Sequence, residues 1–85
     1  MIRAFTDEAW GQYKYWLRTD RQVLKRLNTL LEDTSRHPFT GIGKPEMLRA
    51  SLSGHWSRRI TDEHRLVYRV EDDTLVIIAC RFHYE

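Results

Sequence analysis

The sequence predicts an α+β domain: two N-terminal helices packed on a twisted antiparallel sheet. Three observations predict it. Apolar residues recur at helical spacing from Ala9 to Leu31, and from Leu48 onward the period changes to two. Between the two regimes, Pro38-Phe39-Thr40-Gly41-Ile42-Gly43-Lys44-Pro45-Glu46 carries two glycines and two prolines, the residues that punctuate a chain. The 85 residues make one domain over 1–85. A chain this short buries only roughly 60% of its unfolded surface, so its core has to be dense or completed by a partner.

Met1 to Phe5 fits a short first strand. Thr6 can cap a helix, and Asp7 and Glu8 follow where the helix dipole favours acids. Ala9, Trp10, Tyr13, Trp16 and Leu17 fall on one face of that helix. Thr19 with Gln22 reads as a capping box opening a second helix, whose stripe is Val23, Leu24, Leu27, Leu30 and Leu31. Pro38 ends it. Both stripes read as core. Trp10, Tyr13, Tyr15 and Trp16 together exceed what one short helix can bury, so part of this group is expected at a protein interface. After the loop come short strands at Leu48–Leu52, His55–Thr61 and His64–Val70, and a longest one at Leu75–Tyr84. Turns at Ser53-Gly54, Asp62-Glu63 and Glu71-Asp72-Asp73-Thr74 separate them.

Composition excludes several classes. Hydrophobic residues make up 41% and charged residues 31%, which suits a folded domain rather than a disordered one. The longest apolar run, around Leu75-Val76-Ile77-Ile78-Ala79-Cys80, is far short of the ~20 residues that cross a bilayer. No membrane association and a cytoplasmic location are therefore expected. The single cysteine, Cys80, excludes an intrachain disulfide, and its apolar setting predicts a buried thiol. His37, His55, His64 and His83 lack close-set ligand spacing, so no metal or other cofactor is expected. The glycine loop lacks the spacing of a nucleotide-binding loop, and no Gly-x-Ser-x-Gly elbow surrounds Ser51, Ser53 or Ser57.

Net charge is only +2, but its distribution is uneven. Between Arg36 and Arg65 six basic residues face three acidic ones, a local net of +3. Eleven of the fourteen basic residues are Arg, the side chain that grips phosphate with a planar fork. On composition alone the cluster Lys44, Arg49, Arg58 and Arg59 is either a solvated mixed-charge surface or a contact for RNA. General acid–base chemistry fits such a surface. Cleaving RNA with its own 2′-hydroxyl needs a base for that proton, an acid for the departing 5′-oxygen, and a cation for charge on phosphorus. A carboxylate, an imidazole and an Arg supply these roles.

Four segments carry a family resemblance. They are Gly43-Lys44-Pro45-Glu46, Leu52-Ser53-Gly54-His55-Trp56-Ser57-Arg58-Arg59-Ile60-Thr61, Glu63-His64-Arg65-Leu66-Val67-Tyr68, and Ala79-Cys80-Arg81-Phe82-His83-Tyr84. Across essentially the whole chain the sequence resembles the YoeB/Txe toxins of the wider RelE-like family. The resemblance implies a microbial-ribonuclease-like fold and endonucleolytic cleavage of mRNA in the ribosomal A site, leaving a 2′,3′-cyclic phosphate and a 5′-hydroxyl. It implies Glu46 as general base, His83 as general acid, Arg65 as transition-state cation and Tyr84 as a substrate-positioning residue. Lys44, Arg49 and Arg59 are implied contacts to phosphate or ribosomal RNA. The implied partners are the 70S ribosome with its mRNA, a YefM-type antitoxin and a second copy of the chain; DNA is met only through the antitoxin complex. Arg49 stands where relatives often carry Lys, and Glu85 follows the His-Tyr pair, adding a carboxylate that favours a charged imidazole at His83.

Strand register imposes one geometric condition. With a two-residue turn at Asp72-Asp73, Arg65 opposes Cys80 and shares a face with Phe82 and Tyr84 rather than His83. Bringing Arg65 and His83 together requires a three-residue loop or a bulge in the last strand. Two other functions compete: a non-catalytic ribosome- or RNA-binding module using only the basic patch, and a DNA-binding or structural partner of the antitoxin. A complete Glu46, Arg65 and His83 set favours the nuclease, because a binder has no need of it.

Overall fold

The computed structural model describes residues 1–83; Tyr84 and Glu85 lie outside the described residues. The order of elements is β1 (Ile2–Phe5), α1 (Asp7–Thr19), α2 (Arg21–Arg36), β2 (Glu46–Met47), a 3-10 turn (Ala50–Leu52), β3 (Trp56–Arg59), β4 (Arg65–Glu71) and β5 (Thr74–Ala79). The strands form one sheet in the order β1-β5-β4-β3-β2. The expected α+β class is found, with one refinement. Four strands run as the antiparallel meander, and β1 joins the far edge parallel to β5, so the sheet is mixed.

The helices start as their sequences require. Thr6 caps α1, its hydroxyl accepting from the Ala9 amide at 3.1 Å. For α2 the cap is Asp20, not Thr19: Asp20 Oδ1 accepts from the amides of Gln22 and Val23. An ionised acceptor suits the positive helix end better than a hydroxyl. Thr19 instead closes α1, donating to the Tyr15 carbonyl at 2.7 Å. Both helices cover one face of the sheet. Ala9, Trp16, Leu27, Leu30 and Leu31 pack against Leu66, Tyr68, Leu75 and Ile77, with Ile60 and Cys80 completing the core.

Two strand assignments are corrected. Leu48–Leu52 is not a strand: Ala50 takes φ 56°, breaking the alternation, and the Leu52 amide donates to the Arg49 carbonyl within the 3-10 turn. The strand here is the shorter Glu46–Met47, paired with Ser57 and Trp56. The last strand stops at Ala79 because α1 takes over its backbone groups. Cys80 N–H donates to Gln12 Oε1 at 2.7 Å, and Trp16 Nε1–H donates to the Cys80 carbonyl at 2.8 Å.

The condition on register is met by the bulge. Asp72 and Asp73 form a two-residue turn, with Glu71 opposite Thr74 and Asp72 at φ 52°. Pairing then slips by one residue: Tyr68 faces Ile77, but Val67 faces Ala79, leaving Ile78 as the extra residue of β5.

Candidate active site

The helix-free side of the sheet carries the cleft. In antiparallel pairs, facing residues project to the same side. Glu46 faces Ser57, Ser57 faces Val67, and Arg59 faces Arg65. Glu46, Ser57, Arg59 and Arg65 therefore share the face opposite the helices. A cleft of roughly 370 Å³ opens there, lined by Lys44, Glu46, Arg49, Ser57, Arg59, Arg65 and His83, with Met47 and Leu48 at its wall. Four basic residues against one carboxylate give the lining a net +3, leaving His83 neutral.

Each member is held differently. Glu46 is exposed on the two-residue edge strand. Lys44 is set by the loop before it. Gly43 has φ 79°, its carbonyl accepts from the Arg59 amide at 2.7 Å, and an added Cβ would lie 2.7 Å from Leu30 Cδ2. Only glycine lets the chain pass so close to α2 before it enters the cleft. Arg65 is 8% exposed, and its Nη1 donates to the carbonyls of Thr61, Asp62 and His64 at 2.7, 3.1 and 3.2 Å. Among the described residues no carboxylate pairs with it. Its turn fixes the guanidinium without neutralising it, which leaves a preorganised positive charge at the cleft. His83 reaches the cleft through the bulge and a sharp reversal at Phe82, whose φ is 70°.

Of the eight candidate residues, Lys44, Glu46, Arg49, Arg59, Arg65 and His83 come together here. Tyr84 lies outside the described residues. Arg58 is a correction. It is fully buried on the helix side, where it donates to Asp33 Oδ2 at 2.6 Å, to the carbonyls of His37, Thr40 and Ile42, and to the Tyr68 hydroxyl. A side chain so enclosed cannot reach RNA. Its hydrogen bond holds the Asp33 carboxyl below the usual carboxylate range, helped by the Ile42 amide. Burial raises the Tyr68 phenol above its ordinary value. Ser57 was missed by sequence reading, though its alternation with Arg58 on one strand could have placed it beside Arg59.

Cys80 is buried, and burial pushes its thiol up to about 12, so it is no nucleophile at neutral pH. Among the described residues, no group of three or more His, Cys, Asp or Glu side chains is placed to hold a metal ion. Nor is any helix there long and apolar enough to cross a membrane.

A small mixed-sheet domain with a basic cleft on its helix-free face is the architecture of a RelE-like toxin. The family profile described as "YoeB-like toxin of bacterial type II toxin-antitoxin system" matches residues 5–84, and the chain belongs to that family. It is 58% identical over 80 residues to Toxin YoeB of Escherichia coli K12, covering 94% of this chain and 95% of that one. Among solved structures it is similar to the YoeB/ParE toxin from Agrobacterium tumefaciens, with a TM-score of 0.96, 46% identity, and coverage of 99% of this chain and 100% of that one. It is also similar to YoeB of Staphylococcus aureus, solved as a dimer and as a YoeB-YefM complex. Those two match with TM-scores of 0.92 and 0.91, identities of 42% and 41%, and coverage of 99% of this chain and 98% of those chains.

Proposed function

We propose that the chain is a ribosome-dependent mRNA endoribonuclease whose toxicity is translation arrest. One observation carries the reading: Glu46, Arg65 and His83 line the same basic cleft. Glu46 takes the proton of a ribose 2′-hydroxyl, whose oxygen attacks the adjacent phosphorus. The bond from phosphorus to the 5′-oxygen breaks, and His83 gives that oxygen its proton. Arg65 stabilises the charge on the phosphoryl oxygens. The products are a 2′,3′-cyclic phosphate and a 5′-hydroxyl. Lys44, Arg49 and Arg59 hold phosphates along the cleft, and Tyr84 is assigned to substrate positioning by the family motif. The nuclease acts in the cytoplasm on the 70S ribosome. Its inhibitor is a YefM-type antitoxin, and it pairs with a second copy of itself, as the Staphylococcus aureus relatives do. Trp10, 47% exposed on α1 and stacked on Tyr13, is available for such contacts.

The test is cleavage on programmed ribosomes by His83→Gln. The expected result is a fall of ~10²–10⁴-fold with ribosome binding retained, the usual contribution of a positioned acid. Cleavage within a few-fold of wild type would remove His83 from the reaction. If neither His83→Gln nor Glu46→Gln changed translation arrest, the non-catalytic binding module would be the better reading.

A further inference from the structure

Both backbone polar groups of Phe82, the residue before His83, are bound by consecutive residues, His64 at the end of the β3–β4 turn and Arg65 at the start of β4. Phe82 N–H donates to His64 Nδ1 at 2.8 Å, and Arg65 N–H donates to the Phe82 carbonyl at 2.9 Å. Phe82 has φ 70°, a left-handed conformation that is strained for a residue with a Cβ. Such a conformation persists only where its surroundings over-determine it. The His64 ring is itself fixed, edge-on to Trp16 at 4.7 Å between centroids, and its own amide donates to Thr61 Oγ1 at 3.1 Å. Trp16 also holds the Cys80 carbonyl, so one indole sets both the ring and the start of the tail.

We propose that His64 is a positioning residue for His83, its unprotonated Nδ1 accepting the Phe82 amide that sets how the tail enters the cleft. The inference rests on the nuclease reading above and adds a gate to it. Nδ1 can accept the Phe82 amide only with its lone pair free, which requires the neutral ring carrying its proton on Nε2. A doubly protonated ring presents N–H to N–H and the contact fails. The two histidines thus have opposite needs: His83 works as an acid when charged, and His64 holds it when neutral. Asp62 and Glu63 lie exposed on the turn of His64, and Arg65 donates to its carbonyl. Arg81 lies over the rings of Tyr15 and Phe82 at 3.6 and 4.5 Å. Trp16 of α1 brings no charge, and the Cys80 thiol, pushed up to about 12, stays neutral.

Two variants separate the acceptor from the ring. His64→Asn sets an oxygen near the position of Nδ1 that accepts without titrating. His64→Phe keeps the ring against Trp16 and removes the acceptor. Single-turnover cleavage on programmed ribosomes is followed against pH for both, beside wild type and His83→Gln. His64→Phe should cleave tenfold or more slowly with unchanged ribosome affinity. His64→Asn should restore the rate to within a few-fold and move the acid-side decline expected of wild type to lower pH, leaving the part that comes from protonation of the general base Glu46. Wild-type cleavage by His64→Phe, or a wild-type acid limb in His64→Asn, would overturn the proposal. A second readout does not depend on activity. The Phe82 amide resonance in wild type should shift as the His64 ring takes up its second proton, and should not shift over that range in His64→Asn. An amide unmoved in wild type would equally overturn it. A failure of the nuclease reading shows separately, as undiminished cleavage by His83→Gln.

Discussion

Arg58 and Arg59 are neighbours on β3, yet they belong to two different regions of the molecule. Arg58 points to the helix side, is fully buried, and shares its charge with Asp33. Arg59 points to the open side and lines the cleft. On the helix side a cation is neutralised and every donor is satisfied, so it stabilises the loop from His37 to Ile42. On the open side Arg65 is held, among the described residues, by uncharged carbonyls, which leave its charge unneutralised. The same residue type is neutralised or left charged according to whether its partner is a carboxylate. One strand, by its period of two, supplies both.

The comparison is broken most forcefully at Arg58. Arg58→Met removes the buried cation of an ion pair whose Asp33 end is part-exposed, and leaves the loop carbonyls without donors. Such losses cost about 3–5 kcal/mol, and urea denaturation should show a loss of that size. A stable Arg58→Met protein would mean that the loop does not depend on this clamp.

Asp33→Asn should act in the same direction with a smaller effect, about 2 kcal/mol, because Arg58 keeps its carbonyl acceptors and Asn keeps an oxygen. Its pH dependence has a definite sign. The carboxyl of Asp33 is lowered by the hydrogen bond from Arg58, so the contact stabilises the fold above the ordinary carboxylate range and is lost as pH falls through the lowered folded value. The difference between wild type and Asp33→Asn should be full at neutral pH and shrink on acidification below about pH 4. A difference independent of pH would show that the ion pair contributes nothing.

Arg59→Ala should change stability least, within about 0.5 kcal/mol, since an exposed side chain loses little on truncation. Its effect belongs to binding. Ribosome affinity should fall and the slope of log affinity against log salt should flatten by about one, the signature of a lost phosphate contact. An unchanged slope would exclude Arg59 from the interface.

How far the sequence carries this contrast depends on range. The helical stripes, the meander and the buried thiol were legible because each is a local pattern. So was the need for a three-residue loop or a bulge, once the resemblance asked for Arg65 and His83 on one face, and Ile78 provides the bulge. The cleft residues were legible through motif segments rather than through any spacing rule. What was hidden is long-range. The role of Arg58 is set by Asp33, 25 residues earlier, and nothing near Arg58 in the chain announces it. The end of β5 is set by Gln12 and Trp16 of α1, 68 and 64 residues away, which compete with the sheet for the Cys80 backbone. The parallel pairing of β1 depends in the same way on where the helices return the chain.

The proposed reaction is intramolecular transesterification of RNA on the open face. The most direct measurement maps the ends of ribosome-bound mRNA after incubation with the purified protein. Wild type should produce a discrete cut in the A-site codon, with a 5′-hydroxyl on one fragment and a 2′,3′-cyclic phosphate on the other, and Glu46→Gln should not. Intact mRNA under translation arrest, or fragments bearing 5′-phosphates, would contradict it.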